Sequence, residues 1–415
     1  MRLQVGLCTL SLIFLVLLLE PASGYNIVCY FSSWAIYRNF TAAKFDISNI
    51  DPSLCTHINF AFVELFEDGS LFIVDPWESD DDGKYHGFQH LAELKQSQPE
   101  LNILISLGGW NEGSKNFSAV SADPESRSRL VSQTLELIEK YKFDGIDIDW
   151  EYPTLRSAAH FEDKENFVLL LKDFSEAYKP KGLLVTAALA GAVDKINAAY
   201  DVDEITKYLD MLNLMTYDYH GAFDNFIGHI SPLHASSLDY KHGRNSTYIV
   251  ATGLEYWLSL NVDPAKINMG VPTYGRTFTL LDQDHTSLYD PVAGPGKKGE
   301  YTGLKGSLGY HEICEFFSGS DSTYYWDDEQ KVPHRIYNDQ WIGYDDERSM
   351  AKKIDFAVER GVGGIMVWTL DTDDFTGICG KKYILLNTIK NRLEYHEKQK
   401  NGKNKLVVKI FLLEP

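Results

Sequence analysis

The chain has 415 residues, enough for one large domain or two to three ordinary ones, and its 44% hydrophobic and 24% charged content is that of a globular protein with a sizeable core. A formal net charge of -20 argues against nucleic-acid binding, which relies on Lys and Arg to neutralise phosphates, and equally disfavours an anionic membrane surface. An uncharged substrate is compatible with it.

Met1–Gly24 has the three parts of a secretory signal: Arg2, an apolar run from Val5 to Leu19, and the small residues Ala22, Ser23 and Gly24. The run is short for a membrane span, so cleavage near Gly24 and secretion to the extracellular space are expected. Cys8 leaves with the signal. Cys29, Cys55, Cys314 and Cys379 remain, an even set that predicts disulfides in an oxidising compartment with the connectivity open. With no C-x-x-C pair, metal ligation by these cysteines is disfavoured. Sequons at Asn39, Asn116 and Asn245 fit a secreted glycoprotein.

In chain order, Tyr25–Trp34 reads as a buried strand, Asp46–Pro52 as a helix and turn, and Thr56–Val63 as a second strand. Asn102–Leu107 is a third apolar run, ended by Gly108 and Gly109. Glu125–Tyr141 carries Leu130, Leu135 and Ile138 at helical spacing and feeds the stretch Phe143–Pro153. Phe161–Tyr178 is a further amphipathic helix. Strands follow at Leu183–Leu189, Leu209–Thr216 and Ile267–Val271, then a helix at Met350–Glu359 and a last strand at Gly364–Leu370. Apolar runs alternating with helices predict parallel strands joined by crossovers, and at this length a closed α/β (β/α)8 TIM barrel. No G-x-G-x-x-G follows the first strand, which weakens the open doubly wound alternative. Residues 274–344 break the rhythm and are too long for a structureless loop; they read as a small insertion between the seventh and eighth strands. The tail 394–415 is Lys-rich and has no reading of its own.

The stretch Phe143–Pro153, FDGIDIDWEYP, holds the chemistry. In a strand, residues two apart share a face, so Asp147, Asp149 and Glu151 project together while Ile146, Ile148 and Trp150 face a helix layer. Three isolated buried carboxylates would be prohibitively costly. Close carboxylates instead share protons and at least one pKa rises, the raw material of a general acid near neutral pH. A calcium loop of EF-hand type fails, because the sixth position counted from Asp147 is Tyr152 rather than Gly. A magnesium site would be a competing use of the same carboxylates.

This segment resembles the signature of the family 18 glycoside hydrolases, the chitinases. Ser106–Trp110 (SLGGW), Met215–Asp218 (MTYD), Tyr274–Arg276 (YGR) and Gly363–Trp368 (GGIMVW) match further family blocks in the expected order, and the similarity runs from Tyr25 to Leu393. The resemblance implies that the insertion is an α+β module, that the disulfides are Cys29–Cys55 and Cys314–Cys379, and that no Cys-rich chitin-binding module follows. It implies a monomer without cofactor or metal, acting on chitin or chitooligosaccharides. Glu151 would protonate the glycosidic oxygen, and the substrate's own acetamido group would replace a protein nucleophile. Asp149 would orient that acetamido group, with Asp147 sharing its proton. Tyr217 and Asp218 would hold the acetyl oxygen and neighbouring hydroxyls, and Trp368 would floor the pocket. Tyr30, Trp34, Trp110, Asn111, Met215, Tyr274, Arg276 and Met366 would line it. Where relatives carry a Glu on the insertion wall, Leu304 stands, which bears on the outer subsites rather than the centre. The competing activities are a chitin-binding lectin or growth-factor-like relative, which lacks the catalytic acid, and an endo-β-N-acetylglucosaminidase.

Overall fold

A computed structural model describes residues 24–75, 77–79, 85–243, 247–319 and 321–411, with side chains to residue 401. The signal segment before Gly24 and the sequon Asn245 lie outside the described residues. The strands are β1 (Asn26–Ser32), β2 (His57–Leu65), β3 (Leu71–Phe72), β4 (Asn102–Gly108), β5 (Gly145–Asp149), β6 (Leu184–Ala190), β7 (Met211–Met215) and β8 (Ile267–Pro272). After them come β9 (Tyr274–Leu280), β10 (Val292–Pro295), β11 (Ser307–Gly309), β12 (Thr323–Asp327), β13 (Val332–Tyr337), β14 (Gln340–Gly343) and finally β15 (Gly364–Trp368).

The sheet order β1-β15-β8-β7-β6-β5-β4-β2, closed by parallel pairing of β1 with β2, is an eight-stranded TIM barrel, and β3 adds an antiparallel edge to β2. β9 to β14 form a separate antiparallel sheet which, with the helix Tyr310–Phe317, makes the α+β insertion between the seventh and eighth barrel strands.

Local chemistry aims the acidic strand. The helix Pro124–Tyr141 starts on Asp123, whose carboxylate accepts from the Ser126 amide, has Pro at its first position, and ends on Lys142 in the left-handed region. The chain then turns directly into β5. Gly145 starts the strand because a Cβ there would sit 2.2 Å from the Leu184 carbonyl oxygen of β6. Ile146, Ile148 and Trp150 enter the layer between barrel and helices, where Trp150 stacks on Phe117 and meets Phe167 edge-on. Its indole N–H donates to Ser114 Oγ, so even this apolar face leaves no donor unpaired.

Several boundaries differ from those read in the sequence. The first strand stops at Ser32 and gives way to a 3-10 turn, and the helix expected over Asp46–Pro52 is only the 3-10 turn Ile47–Asn49, capped by Asp46. The helix Ile384–Phe411 runs through Leu393 into the Lys-rich segment, held there by Arg392 and His396 on Asp355 at 2.8 and 2.7 Å. Disulfides join Cys29 to Cys55 and Cys314 to Cys379. Asn39 is exposed, whereas Asn116 commits its Nδ2, the atom a glycan would take, to the Leu65 carbonyl and Glu112. Among the described residues no helix is long and apolar enough to cross a membrane.

Candidate active site

The acidic face of β5 points into the barrel and changes character along its length. Asp147 is fully buried. Its Oδ2 accepts from the Tyr30 hydroxyl (2.7 Å) and Ser106 Oγ (2.8 Å), and its Oδ1 accepts from Thr186 Oγ1 (2.6 Å) and Asn213 Nδ2 (3.1 Å). Burial pushes its pKa up, and these donors pull it back. Asp149 is also buried, and its Oδ1 has no partner. Burial, then Glu151, then Asp147 raise it well above the usual carboxylate range. Glu151 lies two residues past the end of β5 and is only partly covered. Its pKa is pushed up to about 7 by burial, with Asp218 adding to the rise and Tyr152, Arg156 and Lys195 opposing it. Asp144, at the strand entry, faces away from this group: it pairs with Lys95 at 2.7 Å and accepts from the Ile103 amide.

Around this column the barrel gathers most of the residues read from the sequence. Tyr30, Met215, Tyr217, Tyr274 and Met366 form one buried cluster, with Trp368 packed against it. The Tyr217 ring meets Tyr274 edge-on at 6.4 Å. Asp218 and Arg276 form a two-point ion pair (2.7 and 2.8 Å) that ties the end of β7 to the insertion strand β9. Tyr30 differs from expectation: its ring packs on Trp368, yet its hydroxyl faces Asp147 from below. Trp34 is 45% and Trp110 58% exposed, so neither is core filling. The Arg156 guanidinium covers one face of Trp110 at 3.9 Å. Asn111 is exposed beside it, and Leu304 is exposed on the insertion.

Sequence reasoning missed Phe62, Tyr152, Ser106, Thr186 and Asn213. Strict alternation turns Phe62 outward, but β2 shifts register against β4 between Ala61 and Val63. Phe62 thereby stacks with Trp368 at 5.7 Å and Trp34 at 6.1 Å, completing an aromatic floor. Ser106, Thr186 and Asn213 had a readable signal: each is a polar residue at an inward position of a mainly apolar strand.

A column of acids, two buried and one partly covered, toward the C-terminal mouth of a TIM barrel is open to many chemistries, and comparison narrows them. Residues 26–373 match the model of the glycosyl hydrolases family 18. The chain belongs to that family. Its family 18 relatives include Probable chitinase 2 of Drosophila melanogaster, 41% identical over 86% of this chain and 74% of that protein. Chitotriosidase-1 of Mus musculus is 34% identical over 91% of this chain and 80% of that one. The Group IV chitinase of Ostrinia furnacalis, solved with allosamidin, superposes with a TM-score of 0.86 at 38% identity, covering 89% of this chain and 99% of that chain. Human YKL-39, described as a pseudo-chitinase that retains chitooligosaccharide binding, superposes at 0.82 with 33% identity, covering 89% of this chain and 100% of that one. Family 18 membership therefore fixes the fold, and the acidic column has to decide between catalysis and binding.

Proposed function

We propose that the protein is a secreted, endo-acting chitinase that hydrolyses β-1,4 bonds between N-acetylglucosamine units with retention. The observation that carries this reading is Glu151. It stands at the mouth of the barrel with its pKa raised to about 7, so that near neutral pH it can both give and take a proton. A carbohydrate-binding relative has no use for such a group.

In this mechanism Glu151 protonates the glycosidic oxygen as the bond to the anomeric carbon breaks. The carbonyl oxygen of the substrate's acetamido group forms the new bond to that carbon, giving an oxazolinium ion. Glu151, now a carboxylate, takes a proton from the water that opens this ion, and the configuration is retained. Asp149 orients the acetamido N–H toward the ring. Asp147, saturated with donors, stays anionic and balances the developing positive charge from below. This refines the sharing of one proton between the two aspartates: the proton resides on Asp149. Phe62, Trp368 and Trp34 offer ring faces to the apolar faces of the sugars, and the Asp218–Arg276 pair holds the insertion wall against the pocket. That wall deepens a groove for a linear polymer, which favours chitin over N-glycans as substrate.

Hydrolysis of a fluorogenic chitotrioside by the protein and its Glu151→Gln variant tests the reading. Activity in the parent that falls on the order of 100-fold or more in the variant supports it. A folded, inactive parent that still binds chitooligosaccharides would sink it in favour of a lectin.

A further inference from the structure

Beneath Asp147 the barrel interior carries a line of amides. Asn26 Nδ2, on β1, donates to Asn268 Oδ1 on β8 (3.3 Å); Asn268 Nδ2 donates to Asn213 Oδ1 on β7 (2.9 Å); and Asn213 Nδ2 donates to Asp147 Oδ1 (3.1 Å). Every dipole in this ladder points the same way, ending on the carboxylate.

Two observations fix that direction. The Met211 sulfur, an acceptor only, receives both Asn26 Nδ2 and Asn268 Nδ2 at 3.5 Å, so the nitrogen of each amide must face it. A carboxylate at the upper end likewise demands the nitrogen of Asn213. The gap is also built for the contact. Gly364 of β15 lies in register between Asn26 and Asn268, and a Cβ there would sit 2.7 Å from Asn268 Oδ1 and 2.6 Å from Asn26 Cβ. Interior position alone does not produce such bonding, since the buried amide of Asn59 has no partner on either atom.

We propose that Asn268 and Asn26, at the foot of the barrel, are positioning residues: through Asn213 they hold Asp147 as the anion, which leaves the transferable proton of the aspartate pair on Asp149. Hydrogen bonds in a chain polarise one another, so each amide strengthens the donor above it. The ionisable groups facing Asp147 are Asp149 and then Glu151 along its own strand line, Tyr30 from β1 and, beyond Asp149, Tyr217 from the end of β7. Among the described residues no Lys or Arg pairs with Asp147, so neutral donors alone stabilise its charge. If a donor is lost, Asp147 takes up a proton at higher pH, and the acidic limb of the rate profile moves upward.

This inference rests on the chitinase reading, and the test separates the two. The acidic limb of kcat/KM on the fluorogenic chitotrioside is measured for the parent, Asn213→Leu, Asn268→Leu and Asn26→Leu; Leu has nearly the shape of Asn. The limb should rise by about one pH unit for Asn213→Leu, which removes a bond to a charge. It should rise by a few tenths of a unit for Asn268→Leu, and less for Asn26→Leu. In parallel, carboxyl carbon-13 NMR of aspartate-labelled protein follows the Asp147–Asp149 pair without substrate, and its lower titration step should rise in the same graded order. If Asn213→Leu does not fold, Asn268→Leu and Asn26→Leu carry the test. A limb and a titration that stay with the parent, or a loss of kcat equal at every pH, overturn the proposal and make the ladder structural. An inactive parent whose NMR titration still shifts removes the chitinase reading and leaves the ladder standing.

Discussion

Asp147 on β5 and Glu151 just past its end lie two alternations apart in one motif, and their surroundings could hardly differ more. The deep end is closed: Asp147 has both oxygens filled by hydroxyl and amide donors from β1, β4, β6 and β7. The outer end is open to arriving molecules, and Glu151 has burial raising its pKa with mixed charges of both signs around it. In the proposed mechanism one functional group, the carboxyl, repeated in one motif, serves as a fixed anion at one end and a proton carrier at the other. Environment makes that division, because the carboxylates themselves have similar intrinsic acidity. The deep end should accordingly matter most for stability and the outer end for rate.

The largest effect that tests this contrast is in rate. Glu151→Gln should lose on the order of 100-fold or more in kcat while its thermal midpoint at pH 5 stays close to the parent's. A variant that unfolds instead would merge the two ends into one. Next comes Asp147→Ala, which strands its donors in a buried interior and should cost about 3 kcal/mol or more in denaturant unfolding. A loss below about 1 kcal/mol would show the deep end to be dispensable for the fold. The pH dependence of stability sharpens the outer end. The folded protein holds the Glu151 proton up to about 7, while an ordinary Glu releases it near 4.5. The folded state then binds more protons than the unfolded one, so stability falls as pH rises through that window. Relative to Glu151→Gln, whose amide does not titrate, the parent should lose ground between pH 5 and pH 8 melts, in that direction and no other. The smallest effect belongs to the rim. Trp110→Ala should raise KM about fivefold for a chitooligosaccharide through loss of ring contact, with stability changed by less than about 0.5 kcal/mol. A change in kcat alone would place Trp110 in the chemistry instead.

The acidic strand was legible because its signal is local. Period-two alternation of acids with Ile146, Ile148 and Trp150 needs no knowledge of partners, and the same holds for the apolar runs that became β4, β6 and β8. Where the reading failed, the deciding contact was distant or the rhythm slipped. Phe62 enters the pocket through a one-residue shift in β2 that no periodicity announces. The amide ladder joins residues 242 and 55 positions apart, which meet only when the barrel closes. The strands of the insertion were hidden by their short, mixed composition, and the helix beyond Leu393 by a Lys-rich sequence that reads equally well as solvated coil.

The way the barrel closes has a consequence for the order of events during synthesis. β1 is the first strand to emerge and β15 the last, and β1 pairs with both β2 and β15. A ribosome that has just finished the acidic motif has delivered Asp147, Asp149 and Glu151 but neither Asp218, nor Trp368, nor the Gly364 gap that lets Asn26 reach Asn268. The half-made chain therefore carries the reagents without the vessel. The barrel closes only when the final strand slots between β1 and β8, so the pocket walls are brought together by the last strand made.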